Sequence, residues 1–197
     1  MNVLVTGGAG LIGMALRNRL AEAGHGVIAI DITDFDRGDD ALIRMPLDDP
    51  AQLEALVTDR GIDAIIHCGA ISGPMMAKDN PLLLTDVNIA GTARLLDLAR
   101  RHAMKRFVFC SSISVYGSVG AMAITETTPL RPTSVYGATK IACEALIDGF
   151  AAEYGLDGVS LRISRVYGPY RRANCHLNSM IRNAETGTTT EIPCDPD

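Results

Sequence analysis

Short apolar, β-branched runs alternate along this chain with longer stretches whose apolar residues recur at helical spacing. The runs at 3–6, 27–31, 63–67, 106–111 and 159–164 read as buried strands, with a weaker one at 41–45. Helical patterns cover 11–23, 50–60, 81–102, 134–154 and 175–186. Asp49 and Pro50 give the second helix an N-cap and a first-turn proline. Strands separated by helices in this way predict βαβ units, and so an α/β fold with a doubly wound parallel sheet. No repeat or low-complexity linker interrupts the alternation. After Gly168 it breaks into Pro169-Tyr170-Arg171-Arg172, one more helix and a Thr-rich end. The expectation is one domain over 1–168 and the start of a small C-terminal part over 169–197.

Composition narrows the function classes. The chain has 197 residues, 47% apolar and 21% charged, as an ordinary globular protein does. The net charge of −5 and the scatter of its 18 Lys and Arg exclude a basic stripe for nucleic acid. Only Arg100, Arg101, Lys105 and Arg106 gather, near a helix end whose dipole favours cations. The N-terminus lacks the pattern of a secretory signal, and no apolar run is long enough for a bilayer. Five cysteines, Cys68, Cys110, Cys143, Cys175 and Cys194, contain no C-x-x-C pair. That argues against a disulfide framework and a metal site, with Cys110 and Cys143 as small buried hydrophobes. A reduced, cytoplasmic protein without membrane or nucleic-acid partners is expected.

The first strand runs into Thr6-Gly7-Gly8-Ala9-Gly10-Leu11-Ile12-Gly13, which opens a helix. Gly7 permits the tight turn, Gly10 lets backbone approach a pyrophosphate, and Gly13 lets the helix pack close to the sheet. The helix N-terminus offers unpaired N–H groups to phosphates. Asp31, at the end of the second strand, is placed to accept hydrogen bonds from an adenosine ribose. Its carboxylate repels a 2′-phosphate, and Asp34, Asp36, Asp39 and Asp40 add to that field, although Arg37 opposes it. The balance favours NAD over NADP; the alternative is a solvated acidic loop.

Tyr136-Gly137-Ala138-Thr139-Lys140 puts a phenol and an ammonium on one helix face. An ammonium beside a phenol favours the phenolate, so the pair can exchange a proton with a substrate alcohol near neutral pH. Ser112 ends the strand Phe107-Val108-Phe109-Cys110-Ser111-Ser112, at the sheet edge where α/β folds present ligands. It is placed to hydrogen-bond the reacting oxygen.

These elements resemble the extended short-chain dehydrogenase/reductases, in particular the NAD-dependent sugar epimerases and dehydratases. The resemblance covers essentially the whole chain. Further matches are Ile66-His67-Cys68-Gly69-Ala70, Asn88-Ile89-Ala90-Gly91-Thr92, Ser111-Ser112-Ile113-Ser114-Val115-Tyr116-Gly117, Leu161-Arg162 and Val166-Tyr167-Gly168-Pro169. The resemblance implies a Rossmann fold with Tyr136 as general acid/base, Lys140 holding the nicotinamide ribose, and Ser112 orienting the substrate hydroxyl. It also implies pyrophosphate contacts from Gly7, Gly10, Leu11, Ile12 and Gly13, and a ribose contact from Asp31. Ala70, Asn88 and Ser111 fall along the cofactor path. His67 and Tyr116 read as supporting structure. The family pairs long helices across a two-fold axis, which implies a homodimer through 81–102 and 134–154. Its members are longer than this chain, so 169–197 would be only the beginning of the substrate-binding part.

Three departures from the family pattern matter. Where 4,6-dehydratases carry an acidic pair after the catalytic hydroxyl residue, this chain has Ile113 and Ser114, which disfavours dehydration. Where the family has Gly-Asp to read adenine, an ungapped match puts Met45-Pro46, leaving a backbone contact from Leu47 or a slipped role for Asp48. Arg165 replaces an Asn and, with Arg171 and Arg172, favours an anionic sugar or nucleotide-sugar; surface arginines paired to local carboxylates are the equal alternative. His176 falls near the family's nucleotide-sugar contact and can serve as a hydrogen-bonding group. The expected function is an NAD-dependent epimerase or oxidoreductase acting on a secondary alcohol of a sugar or nucleotide-sugar. A dehydrogenase of a sugar or sugar acid, and a non-catalytic NAD-binding module, stand as alternatives.

Overall fold

Strand β1 (Asn2–Thr6) buries Val3 to Thr6 without a break, as a strand covered on both faces requires. The computed structural model describes residues 1–72, 77, 79–120, 123–171 and 176–191. Around β1 lie β2 (Gly26–Asp31), β3 (Leu42–Arg44), β4 (Ala64–His67), β5 (Arg106–Ser112) and β6 (Gly158–Ile163). All pairings are parallel, in the order β3-β2-β1-β4-β5-β6. This is the doubly wound order of a Rossmann fold, with its reversal at β1.

Right-handed crossovers put α1 (Leu11–Glu22) on one face and α2 (Pro50–Arg60), α4 (Gly91–Arg101) and α5 (Val135–Tyr154) on the other. On the second face, Leu4, Ile65, Phe107 and Phe109 of the sheet meet Leu53, Leu95 and Ile147 of the helices. Ala9, Ala29 and Leu42 form a smaller cluster on the first. The Asp49 carboxylate accepts from the Gln52 N–H at 3.0 Å and caps α2. Ser134 caps α5 in the same way, accepting from Gly137 N–H at 3.1 Å. The last helix, α6 (His176–Thr186), has no buried residue.

The helical pattern over 81–102 is one run in sequence but three pieces in space. They are α3 (Pro81–Thr85), a π-helical turn (Asp86–Ala90) and α4. The wide turn points Asn88 inward, and its carbonyl accepts from the Thr92 hydroxyl at 2.6 Å and the Cys143 thiol at 3.3 Å. Those side chains compensate the displaced backbone bond. The edge strand β3 is shorter than the 41–45 run. Arg172, Cys175 and Cys194 lie outside the described residues.

Candidate active site

Reversal of strand order at β1 opens a crevice between the C-terminal ends of β1 and β4. Gly7 turns there with φ +66°, and a Cβ on it would lie 2.7 Å from Gly69 N and 2.8 Å from the Cys68 carbonyl carbon. The turns after β1 and β4 thus touch through backbone. A Cβ on Gly13 would lie 2.8 Å from Gly8 Cα and closer still to the Gly7 carbonyl oxygen, so α1 can approach its own loop only as glycine. Gly10 caps α1 without a side-chain acceptor, so the first-turn N–H groups, at Leu11 and Ile12, have no side-chain cap, as an anion-binding helix end requires. The cradle fits a pyrophosphate.

Asp31 stands beside this loop. Its carboxylate accepts from Ala9 N–H at 3.1 Å and Ile32 N–H at 2.8 Å, which fixes it at the end of β2. The surrounding acidic field is smaller than the composition suggests. Asp34 pairs with Arg44 at 2.8 Å, and Asp39 forms a two-pronged pair with Arg17. The Arg17 bonds hold the Asp39 carboxyl below the usual range. Arg37 donates to the Ala9 carbonyl and lies over the rings of Phe35 and Tyr170. Asp34 and Asp39 are thus paired with arginines, while the Asp31 carboxylate stays on the glycine loop. Met45 N–H donates to the Asp31 carbonyl at 2.9 Å, and half-buried Leu47 packs against Gly91 and the core. Pro46 and Asp48 are exposed.

Across the crevice, Tyr136 and Lys140 occupy successive turns of α5, both buried. The Lys140 ammonium donates to the Cys110 carbonyl at 2.8 Å and lies 4.5 Å from the Phe109 ring centre and 5.7 Å from that of Tyr136. Burial lowers its pKa, opposed by neighbouring thiols and Glu144. Ser112 ends β5 and caps the 3₁₀ turn that follows, accepting from Ser114 N–H at 3.2 Å and donating to Ser114 Oγ at 3.1 Å. A Cβ on Gly137 would come 2.5 Å from the Ser114 carbonyl oxygen. Gly137 therefore lets the first turn of α5, with Tyr136, close onto the Ser112 segment.

Several supports escape a residue-by-residue reading. Glu144, one turn beyond Lys140, receives the Ser111 hydroxyl and two nitrogens of Arg162, with Arg162 Nη2 at 2.9 Å. Arg162 also donates to the Tyr116 hydroxyl at 2.9 Å and the Glu126 carbonyl at 3.0 Å. The cluster ties β5, β6, α5 and the following loop together around Ser112. Ser111 is turned into this cluster, and Asn88 is committed too. Its amide joins Ile71 O and N–H and the Thr139 hydroxyl, holding the loop after β4 on which Ala70 sits. His67 is fully buried between Thr6 at 2.6 Å and Thr92 at 3.0 Å. Thr92 gives its proton to the Asn88 carbonyl, so His67 Nε2 donates and Nδ1 accepts. Burial and the Lys140 charge hold its pKa down to about 3. Four-residue spacing puts Glu144 on the helix face of Tyr136 and Lys140, but that spacing alone does not mark it, because its partners are distant in sequence.

Beyond β6 the groups are open. Arg165 and His176 are exposed, and Arg171 donates to the Val166 carbonyl. Among the described residues, no cluster of three or more His, Cys, Asp or Glu could hold a metal ion, and no helix is long and apolar enough to cross a membrane.

A family model described as "NAD dependent epimerase/dehydratase family" matches residues 3–195. The UDP-glucose 4-epimerase of Corynebacterium glutamicum is 33% identical over 200 residues, covering 95% of this chain and 60% of that protein. A dTDP-glucose 4,6-dehydratase of Mycobacterium tuberculosis is 31% identical over 210 residues, covering 98% and 61%. Among solved structures, the Thermus thermophilus UDP-glucose 4-epimerase complex with NAD superimposes with a TM-score of 0.84 at 30% identity, covering 95% of this chain and 64% of that one. The chain thus spans about three fifths of the length of these relatives. With the doubly wound sheet, the glycine cradle and the Tyr136–Lys140 helix in place, this chain belongs to the NAD-dependent epimerase/dehydratase family.

Proposed function

We propose that this chain binds NAD and carries the proton-transfer centre of an enzyme that oxidises, and in an epimerase re-reduces, a secondary alcohol of a nucleotide-sugar. The observation that carries the reading is the buried Tyr136–Lys140 pair beside Ser112, across one crevice from the Gly7–Gly13 cradle. Gly7, Gly10 and the N–H groups of Leu11, Ile12 and Gly13 would hold the pyrophosphate, and Asp31 the adenosine ribose. When bound, NAD supplies the hydride acceptor and donor. Ser112 orients the substrate hydroxyl, and Tyr136 takes its proton as the carbinol is oxidised. Lys140 steadies the phenolate and holds the nicotinamide ribose. Re-reduction of the ketone carbon from its other face by that hydride, with Tyr136 returning the proton to the carbonyl oxygen, gives inversion; release of the ketone gives a dehydrogenase.

Ile113 and Ser114, next to Ser112, offer no carboxyl group for loss of water, so epimerase or dehydrogenase chemistry is favoured over dehydration. Arg165 and Arg171 favour an anionic substrate. The packed α3, α4 and α5, with Leu82, Leu83 and Val135 exposed, support a homodimer, and the charge and cysteine pattern a cytoplasmic setting. The test incubates the protein with NAD and a panel of UDP-sugars. Sugar inversion without net NADH marks the epimerase, and NADH release the dehydrogenase. Tyr136→Phe should lower kcat by about 10²–10⁴-fold with NAD binding retained. Turnover unaffected by that change would end the proposal.

A further inference from the structure

The thiols of Cys68 and Cys110 face one another 3.4 Å apart at the catalytic edge of the sheet. His67 on β4 pairs with Phe109 on β5, so Cys68 continues that register directly opposite Cys110, with both side chains on one face. Adjacent strands lie ~4.8 Å apart, inside the ~4.4–6.8 Å that the Cα atoms of a disulfide span. The pair sits between two working parts of the crevice. Cys68 adjoins the turn that touches Gly7, and the Cys110 carbonyl holds the Lys140 ammonium. Cys143, the remaining thiol among the described residues, is engaged elsewhere, with Asn88 O and Thr92.

We propose that Cys68 and Cys110 form an oxidation site, closing to an intrachain disulfide at the β4–β5 edge of the crevice when a hydroperoxide reaches them. A hydrogen bond joins the two thiols, so either can receive the other's proton, and the Lys140 ammonium on the Cys110 carbonyl places a positive charge beside the pair that favours its thiolate form. Cys110, whose own carbonyl holds that ammonium, is the attacking sulfur. Its thiolate breaks the O–O bond of hydrogen peroxide, becoming a sulfenic acid and releasing hydroxide. The Cys68 sulfur then attacks the Cys110 sulfur. The S–S bond forms as the S–O bond breaks, and the Cys68 proton leaves with the departing hydroxide as water. Overall two thiols lose two electrons and peroxide becomes two waters. The bond would pull on the Cys110 backbone that anchors Lys140, coupling thiol oxidation to the proton-transfer centre.

The test treats the 197-residue chain with hydrogen peroxide, blocks remaining thiols with iodoacetamide, and maps the peptides by mass spectrometry. The expected product is a Cys68–Cys110 cross-link, two hydrogens lighter than the reduced pair and reversed by dithiothreitol. Cys143→Ser should still form it, and Cys68→Ser or Cys110→Ser should not. The coupling to the crevice rests on the NAD-binding reading. NAD at ten times its Kd leaves about one tenth of sites open and should slow cross-linking about tenfold. Both thiols staying alkylatable, or oxidation ending in sulfinic acids or in links to other cysteines, overturns the oxidation site. Unchanged cross-linking under NAD that calorimetry shows to be bound overturns its place in the crevice. Absence of NAD binding would instead overturn the functional reading, with the cross-link itself still decided by the peptide map.

Discussion

Replacing glycine by alanine inside a helix should have opposite effects at two positions of this fold. At Gly149, inside α5, an added Cβ meets nothing within 4 Å. The change should bring only the helix-propensity gain of about 1 kcal/mol. At Gly13, in α1, the same Cβ would come 2.8 Å from Gly8 Cα and 2.9 Å from the Gly7 carbonyl carbon. These are backbone atoms of the phosphate cradle, so no rotamer change relieves the clash. Overpacking of this kind costs about 1–3 kcal/mol, toward the upper end where backbone must move. Subtracting the propensity gain leaves Gly13→Ala about 1–2 kcal/mol less stable. At about 2–4 °C per kcal/mol for a chain of this size, Gly149→Ala should raise Tm by about 2–4 °C and Gly13→Ala lower it by about 2–8 °C. Thermal unfolding followed by circular dichroism reads both shifts, and calorimetric titration reads NAD affinity, which only Gly13→Ala should weaken. A Gly13→Ala protein as stable as Gly149→Ala, with unchanged NAD affinity, would refute the close approach of α1 to its loop.

Two further expectations concern buried polar groups. His67 has a folded pKa of about 3, against about 6.5 when unfolded. Below 6.5 the unfolded state binds the extra proton, so the folded state loses stability as pH falls from 6.5 toward 3, by about 2 kcal/mol at pH 5. Denaturant titrations of wild type and His67→Asn should differ in slope over pH 5 to 6.5, with the variant flatter; parallel slopes would count against a buried neutral imidazole. Arg162→Met leaves Glu144 buried without its main partner and should cost about 3 kcal/mol, the lower end for a broken buried pair because Arg162 retains some exposure. Arg162→Lys, which keeps the charge but loses the two-nitrogen grip, should recover only part of the loss in chemical denaturation. A loss below 1 kcal/mol in Arg162→Met would mean that the pair is solvated.

Local patterns carried the architecture. Strand and helix periods, the glycine loop and the Tyr136/Lys140 spacing are each contained within a few residues, so they can be read along the chain. What could not be read depends on partners far apart. The π turn needs Cys143 and Ile71 to receive a reoriented Asn88, and nothing in the 81–102 pattern marks it. Glu144 looks like a solvated helix position until Arg162 and Ser111 arrive from other elements. The acidic residues after β2 suggest a broad negative field, yet Arg17 and Arg44 neutralise two of them. Cys68 and Cys110 show no motif because they are 42 positions apart, brought together only by strand register.

Under the proposed function, the crevice between β1 and β4 takes NAD, and the Asp31 carboxylate is what would reject a 2′-phosphate. Calorimetric titration of NAD and NADP into wild type and Asp31→Ser decides between the two possibilities. The expected result is one NAD per chain, NADP weaker by about tenfold or more in wild type, and that ratio collapsing in the variant. Folded protein that binds no NAD, or that binds both dinucleotides equally whether or not Asp31 is present, would contradict it.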